Sequence, residues 1–233
     1  MKAMLLAAGR GERMRPLSDT TPKPLLRVGG KPLLVWHIEN LVRAGLTEII
    51  INHAHLGPLI EAALGSGEKF GAHIQYSPEV EALETAGGIA QALPQLGKEP
   101  FLVVNGDIYI EYDFSRLTEI GMAMRANAEM FSAYLVLVDN PAHHTQGDFA
   151  LEQSQVKLTG QPRLTFSGVA VYHPDNFRDI ERGAKAKLAP LLKTLIHYDL
   201  VRGEHHRGRW VDVGTPQRLA ALDRLLTHPA DPF

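Results

Sequence analysis

The sequence predicts an α/β protein built on a doubly wound, mostly parallel sheet with a β-rich extension. Three observations carry that expectation. Through the first half, short apolar runs alternate with amphipathic runs of helical period. From Met130 onward the texture turns to consecutive β-rich segments. The chain has 233 residues, 45% of them hydrophobic, enough to fill a complete core around one sheet.

Taken in order, KAMLLAA reads as the first strand and KPLLVWHIENLVRAGL as a helix. In that helix Leu33, Leu34, Ile38, Leu41 and Val42 recur at helical spacing, and Gly45 marks its end. TEIIINHA, LGPLIEAAL, AHIQYSPE, GGIAQALPQL and FLVVNGD continue as strand, helix, strand, helix and strand. MFSAYLVLV, DFALE and RLTFSGVAVY read as antiparallel strands laid over the carboxyl edge of that sheet. KLAPLLKTLIH and the stretch from Thr215 to Leu226 are helical, with the strand-like GRWVDVG between them. No repeat, low-complexity tract or linker interrupts the chain, so a single domain over residues 1–233 is expected.

A formal charge of −2 provides no whole-protein field to draw nucleic acid or an anionic membrane, so any anion site must be local. Without cysteine there is no disulfide framework, thiolate metal cage or thiol nucleophile. The apolar run from Ala3 to Ala8 is too short for a signal-peptide core, and nothing approaches the roughly 20 apolar residues of a membrane span. A cytoplasmic protein is expected, as a monomer or small homo-oligomer.

The chemistry is concentrated in three stretches. In LAAGRGERMRPLSDTTPKPL, Gly9 and Gly11 let backbone N–H groups approach a ligand without a Cβ in the way, the arrangement that cradles phosphates. Arg10, Arg13 and Arg15 add fork-shaped donors, and Pro22 and Pro24 stiffen the backbone that aims Lys23. Met14 stands where a dinucleotide-binding loop needs its third glycine, and no G-K-[ST] follows. FLVVNGD delivers Asp107 at the carboxyl end of a strand, where open α/β sheets bind ligands. GRWVDVG delivers Asp212 in the same way, and two such carboxylates suit Mg²⁺. Eleven histidines include the close pairs His53/His55, His143/His144 and His205/His206, but neighbouring residues on a strand point to opposite faces and chelate poorly.

The run L-A-A-G-x-G-x-R-M-R-P-L followed by T-P-K-P-L resembles the N-terminal motif of the sugar-1-phosphate nucleotidylyltransferases. These enzymes transfer a nucleoside monophosphate from an NTP to a sugar phosphate and release pyrophosphate. The resemblance implies a Rossmann-like nucleotidyltransferase fold, with a nucleotide-binding half over about residues 1–112 and a sugar-binding, metal-completing half over about 113–233. It implies that Leu6, Ala7, Ala8 and Gly9 lie against the nucleoside. Gly11, Glu12 and Arg13 would hold the triphosphate, with Lys23 on a phosphate near the reacting centre. Asp107 and Asp212 would hold Mg²⁺, with Asn105 facing the sugar. Arg13, Lys23 and Asp107 are thereby the catalytic candidates. Glu79, Thr85, Gly87 and Gly88 match the segment that closes over the base, with Glu84 where relatives carry the first glycine of L-G-T-A-G.

On the sugar side the resemblance implies Asn140, Gly147, Ser167, Gly168 and Lys187. Glu152 would replace the glutamate of an absent Glu-Lys-Pro segment. L-E-T-A-G-G, INHAHLG, DNPAHHTQGDF and GEHHRGRWVDVGT resemble the branch that joins UTP to the acidic sugar N-acetylmuramic acid 1-phosphate. His143, His144 and Arg163 are its candidates for the sugar's lactyl carboxylate. Mannose or another sugar 1-phosphate with GTP remains open. A catalytically silent binding module should have lost the lysine or an aspartate, and this chain keeps Arg13, Lys23, Asp107 and Asp212 together.

Overall fold

A computed structural model describes residues 1–228. Its strands are β1 (Ala3–Leu6), β2 (Arg27–Val28), β3 (Lys31–Pro32), β4 (Glu48–His53), β5 (His73–Pro78), β6 (Phe101–Asn105), β7 (Ile108–Ile110), β8 (Ala133–Val138), β9 (Phe149–Glu152), β10 (Gln155–Lys157), β11 (Arg163–Tyr172), β12 (Val201–His206) and β13 (Trp210–Asp212). Its α-helices are α1 (Leu33–Arg43), α2 (Gly57–Leu64), α3 (Glu84–Leu96), α4 (Ser115–Ala126), α5 (Leu188–His197) and α6 (Pro216–Thr227). No helix among the described residues is long and apolar enough to cross a membrane.

Among the described residues one nine-stranded sheet runs in the order β5-β4-β1-β6-β11-β8-β12-β10-β9 and draws on both halves of the chain. Side chains of β1 alternate between its faces. Ala3 and Leu5 join Leu34, Ile38 and Leu41 of α1 and Leu117 and Met124 of α4, while Met4 joins Ile89 and Ala90 of α3 and Leu192 and Ile196 of α5. Each face thus buries an apolar stripe under helices, as a doubly wound sheet requires.

The sheet is mixed rather than mostly parallel. β5, β4, β1 and β6 are parallel as expected. β11 then runs antiparallel to β6 and to β8, and β12 runs parallel to β8. The β-rich segment therefore extends the same sheet in plane instead of lying over its edge. The reason is visible in burial: Val169 to Tyr172 and Leu135 to Val138 are buried throughout. Such a run belongs in a central strand covered on both faces, and its hydrophobicity carries no record of direction. Helix α4 was not expected because its buried side is narrow, limited to Leu117, Gly121 and Met124.

Register places the site. Leu6 pairs with Asn52 on one side and Asn105 on the other, so three central strands end level. The chain winds outward through β4 and β5, then returns to place β6 on the other side of β1. That reversal opens a crevice between the loops leaving β1 and β6, where ligands bind in open α/β sheets.

Tyr172 is fully buried, with its ring edge-on to Phe177 at 5.4 Å. Its hydroxyl has no partner among the described residues, and burial raises its pKa. Because an unpaired buried hydroxyl costs on the order of 1 to 3 kcal/mol, Tyr172→Phe should unfold at equal or higher urea concentration than the native chain. A loss above about 1 kcal/mol would show that the hydroxyl is bonded.

Candidate active site

A chain of three hydrogen bonds fixes the start of the loop after β1. Asn52 Oδ1 accepts from the Ala7 N–H at 2.9 Å, Asn52 Nδ2 donates to Glu79 Oε1 at 2.7 Å, and Glu79 Oε2 accepts from the Leu83 N–H at 2.9 Å. Burial pushes the Glu79 carboxyl up, partly offset by the bonds from Leu83 and Asn52. The ties open a cavity of about 330 Å³. Leu6 at the end of β1 and Ala7, Ala8 and Gly9 of the loop after it line one side, Ala82 with Glu84 and Thr85 of α3 another, and Lys23, Asn52, Asn105 and Asp107 are among the rest.

Lys23 is not a free loop lysine. Gly11 turns with φ +67°, and a Cβ there would stand 3.0 Å from Lys23 Cβ. The lysine side chain is only 7% exposed, and its Nζ lies 2.6 Å from Asp107 Oδ2. Glu12 and Arg13 stay exposed in the turn beyond Gly11. Asp107 leaves β6 through Gly106, whose N–H bonds Leu6 O at 2.9 Å. A Cβ on Gly106 would meet that oxygen at 2.6 Å, so only glycine fits.

Asp212 arrives by strand pairing. β7 and β13 form an antiparallel ribbon with Ile108 opposite Asp212, and the Val213 N–H bonds Asp107 O at 3.0 Å. Backbone pairing thus brings two carboxylates remote in sequence onto one cavity. Asp212 Oδ2 takes His143 Nε2 at 3.2 Å and Arg218 Nη1 at 3.3 Å. Thr215 caps α6 by accepting from the Arg218 N–H, so Asp212 is not needed as that cap. Neither Asp107 Oδ1 nor Asp212 Oδ1 accepts a hydrogen bond among the described residues. No three His, Cys, Asp or Glu side chains there converge into a self-sufficient metal cage. Two one-oxygen donors fit a hard cation that takes its other ligands from phosphate and water, the habit of Mg²⁺.

A second cavity, about 340 Å³, adjoins the first. His143, His144, Asp148, Phe166, Ser167 and Trp210 line it, and Asn105 and Asp107 line both. Ser167 and Gly168 lie where the pairing of β11 with β8 shifts register. Gly168 has φ +86°, and a Cβ there would strike Asn105 Nδ2 at 2.5 Å, so the bulge makes room for the Asn105 side chain.

A sequence profile of the nucleotidyl transferase family matches residues 2–228. The chain is 56% identical, over 97% of its length and 98% of the relative, to the N-acetylmuramate alpha-1-phosphate uridylyltransferase of Neisseria meningitidis serogroup B. The chain belongs to the nucleotidyl transferase family. It is 32% identical, across its full length and 69% of the relative, to a mannose-1-phosphate guanyltransferase of Hypocrea jecorina. A Bacillus anthracis structure assigned as a glucose-1-phosphate thymidylyltransferase superposes with a TM-score of 0.85 at 21% identity, over 100% of this chain and 97% of that one. The shared fold is the α/β nucleotidyltransferase fold with a mixed sheet.

Several residues expected to touch substrate in this nucleotidyl transferase fold sit elsewhere. Glu79 has both oxygens bonded within the protein and lies outside the cavity lining. Gly87 and Gly88 serve close packing: a Cβ would stand 2.3 Å from Ala184 O at the first and 2.7 Å from Glu79 Oε1 at the second. Asn140 ties its loop to β11, donating to Thr145 O and Arg163 O and accepting from Thr165 Oγ1. Gly147, buried beneath Asn140, packs against the Arg163 backbone. Arg163 spends its guanidinium on the carbonyls of Gln146, Asp148 and Leu158. Glu152 lines a separate hollow with Lys157 and Asp199, and Lys187 is an exposed residue before α5, outside both cavities. Asn52 and Arg218 were not anticipated, because each matters through a partner on another element: Asn52 through Ala7 and Glu79, and Arg218 of α6 through Asp212 of β13. Among the histidine pairs, His53 meets Glu61, His144 meets Asp148 and His205 meets Asp139.

Glu84 departs from glycine at a cost. It has φ +63°, the left-handed region that costs an L residue roughly 1 to 2 kcal/mol.

Beneath the centre, His37 of α1 bonds Ile108 O through Nε2 at 2.8 Å and so braces the strand that follows Asp107. Burial lowers its pKa to about 4, against the raising effects of the Ile108 bond and the Asp107 charge. The folded chain therefore keeps His37 neutral while an unfolded chain, with an ordinary value near 6.5, takes up a proton. Stability from this group is complete above about pH 6.5 and falls as pH drops toward 4, by up to about 1.4 kcal/mol per pH unit. Urea titrations between pH 7 and pH 4 should show a shallower decline for His37→Gln; equal slopes would mean that His37 is protonated in the fold.

Proposed function

We propose that this chain is a Mg²⁺-dependent uridylyltransferase that joins UTP to N-acetylmuramic acid α-1-phosphate and gives UDP-N-acetylmuramic acid and pyrophosphate. The observation that carries the reaction is Asp107 lining both cavities, with Lys23 of the first cavity bonded to it and Asp212 lining the second. The substrate pair is supported by the end-to-end likeness at 56% identity to the Neisseria protein of that name.

In this reading the first cavity receives UTP and the second the sugar phosphate. An oxygen of the sugar phosphate forms the new bond to the α-phosphorus. The bond from the α-phosphorus to the bridging oxygen breaks, and its electron pair leaves with pyrophosphate. The acceptor is already anionic, so no protein nucleophile and no general base are needed; the protein must align two polyanions and offset their repulsion. Lys23 Nζ can exchange Asp107 for a non-bridging α-phosphate oxygen and stabilise charge there as it develops. Arg13, exposed beyond Gly11, is free to meet the outer phosphates. Asp107 and Asp212 would hold Mg²⁺ through their Oδ1 atoms, and the cation when bound supplies charge neutralisation of the phosphate oxygens. His143 and His144 line the acceptor cavity, and each would exchange its aspartate partner, Asp212 or Asp148, for the lactyl carboxylate that distinguishes muramic from glucosamine 1-phosphate.

The test is kcat/KM for UTP and GTP crossed with N-acetylmuramic, N-acetylglucosamine and mannose 1-phosphates. Preference for UTP and the muramic acceptor is expected; a muramic-to-glucosamine ratio of one or below, or a preference for GTP, rejects the assignment. Lys23→Ala should lower turnover by roughly 100- to 1,000-fold with little loss of stability, because Asp107, 40% exposed, can hydrate. A rate within a few-fold of native would remove Lys23 from the chemistry. Asp212→Asn should lower the rate strongly, raise the Mg²⁺ concentration needed for half-maximal activity and keep the fold; an unchanged Mg²⁺ requirement would remove Asp212 from the metal site. Asp107→Asn is less clean, since it leaves the buried Lys23 without its anionic partner.

A further inference from the structure

We propose that Glu84 reads the ribose of the nucleotide, its carboxylate accepting from both the 2′- and the 3′-hydroxyl. This rests on UTP being the donor.

Glu84 combines three properties that sit together awkwardly unless a ligand completes them. Its backbone is left-handed at φ +63°, a conformation that glycine takes freely and that an L residue keeps only under constraint. It lines the nucleotide cavity between Ala82 and Thr85. Its carboxylate makes no hydrogen bond or ion pair among the described residues, and the nearby cation Lys185 is committed to Glu81 at 2.7 Å. A strained residue whose side chain repays nothing within the fold, placed in a ligand cavity, points to the ligand.

Chemistry then selects the part of the ligand. A carboxylate only accepts hydrogen bonds and repels phosphates, so it cannot serve the triphosphate, whose end of the cavity is marked by Lys23. Uracil offers one N–H flanked by two carbonyls, which would repel the second carboxylate oxygen. A base-reading carboxylate would instead favour guanine, with two adjacent donors. A vicinal diol presents two O–H donors, one for each carboxylate oxygen, and both bonds are charge-assisted. The competing explanation is that Glu84, in the first turn of α3, merely complements the helix dipole.

Binding of UTP, 2′-deoxyUTP and 3′-deoxyUTP, measured by calorimetry without acceptor, separates these. The native chain should bind each deoxy analogue roughly 10- to 100-fold more weakly than UTP. Glu84→Gly should bind all three alike, at the weak level, while melting about 2 to 4 °C higher as the strain is released. Glu84→Gln, which keeps one acceptor oxygen, should fall between. Equal binding of the three nucleotides by the native chain overturns the proposal, as does Glu84→Gly retaining the native discrimination. A Glu84→Gly chain that melts lower with discrimination intact assigns the carboxylate to the helix dipole. Because acceptor is absent, the outcome is independent of the muramic assignment: UTP binding with ribose discrimination but no transfer to muramic 1-phosphate would reject only the functional reading.

Discussion

Everything at the centre depends on one backbone constraint, the pairing of β13 with β7 directly after the β6 strand ends. Ile108 sits opposite Asp212 and the Val213 N–H bonds Asp107 O. Ladder hydrogen bonds, not side-chain attraction, bring both carboxylates onto one cavity, so two like charges share it in advance of any ligand. Around that ribbon the chain is shaped to yield space. Gly106 clears Leu6 O, Gly168 clears the Asn105 amide, and His37 braces β7 from below.

Two carboxylates on one cavity require compensation. Each aspartate commits Oδ2 to partners within the protein, Lys23 on Asp107 and Arg218 with the His143 ring on Asp212. The resting site is therefore a set of near-balanced pairs rather than an open negative pole, which would repel a triphosphate. Lys23 stands between a carboxylate and the first cavity, which it lines, and His143 between Asp212 and the second. In the proposed reaction, substrate phosphates would compete for donors already in place.

The parts of this design that were legible in the sequence are those where backbone geometry dictates residue type. Gly11, the proline-flanked Lys23, the Asn-Gly-Asp turn and the strand ending on Asp212 all announce themselves because few residues satisfy those turns. Strand direction beyond β6 was not legible, since residues such as Val169 to Tyr172 are apolar on both faces whichever way they run. Asn140, Arg163 and Glu79 read as ligand contacts from their positions, yet each is consumed by protein carbonyls, amides or N–H groups that only the folded chain brings near. Asn52 and Arg218 illustrate the converse: ordinary residues in sequence, given their roles by partners on other elements. Glu84 stood out as a departure from glycine, and the fold supplies the reason glycine is usual there.

In the proposed reaction the protein aligns donor and acceptor for one direct displacement, and no side chain carries the nucleotide. Lys23 cannot attack while it serves as a cation, and the centre contains no cysteine. The most direct test is the stereochemical course at the α-phosphorus, read by phosphorus NMR of the product from UTP bearing a chiral α-thiophosphate. A single in-line attack predicts inversion of configuration. Retention would require two displacements through a uridylylated side chain and would rule out direct transfer.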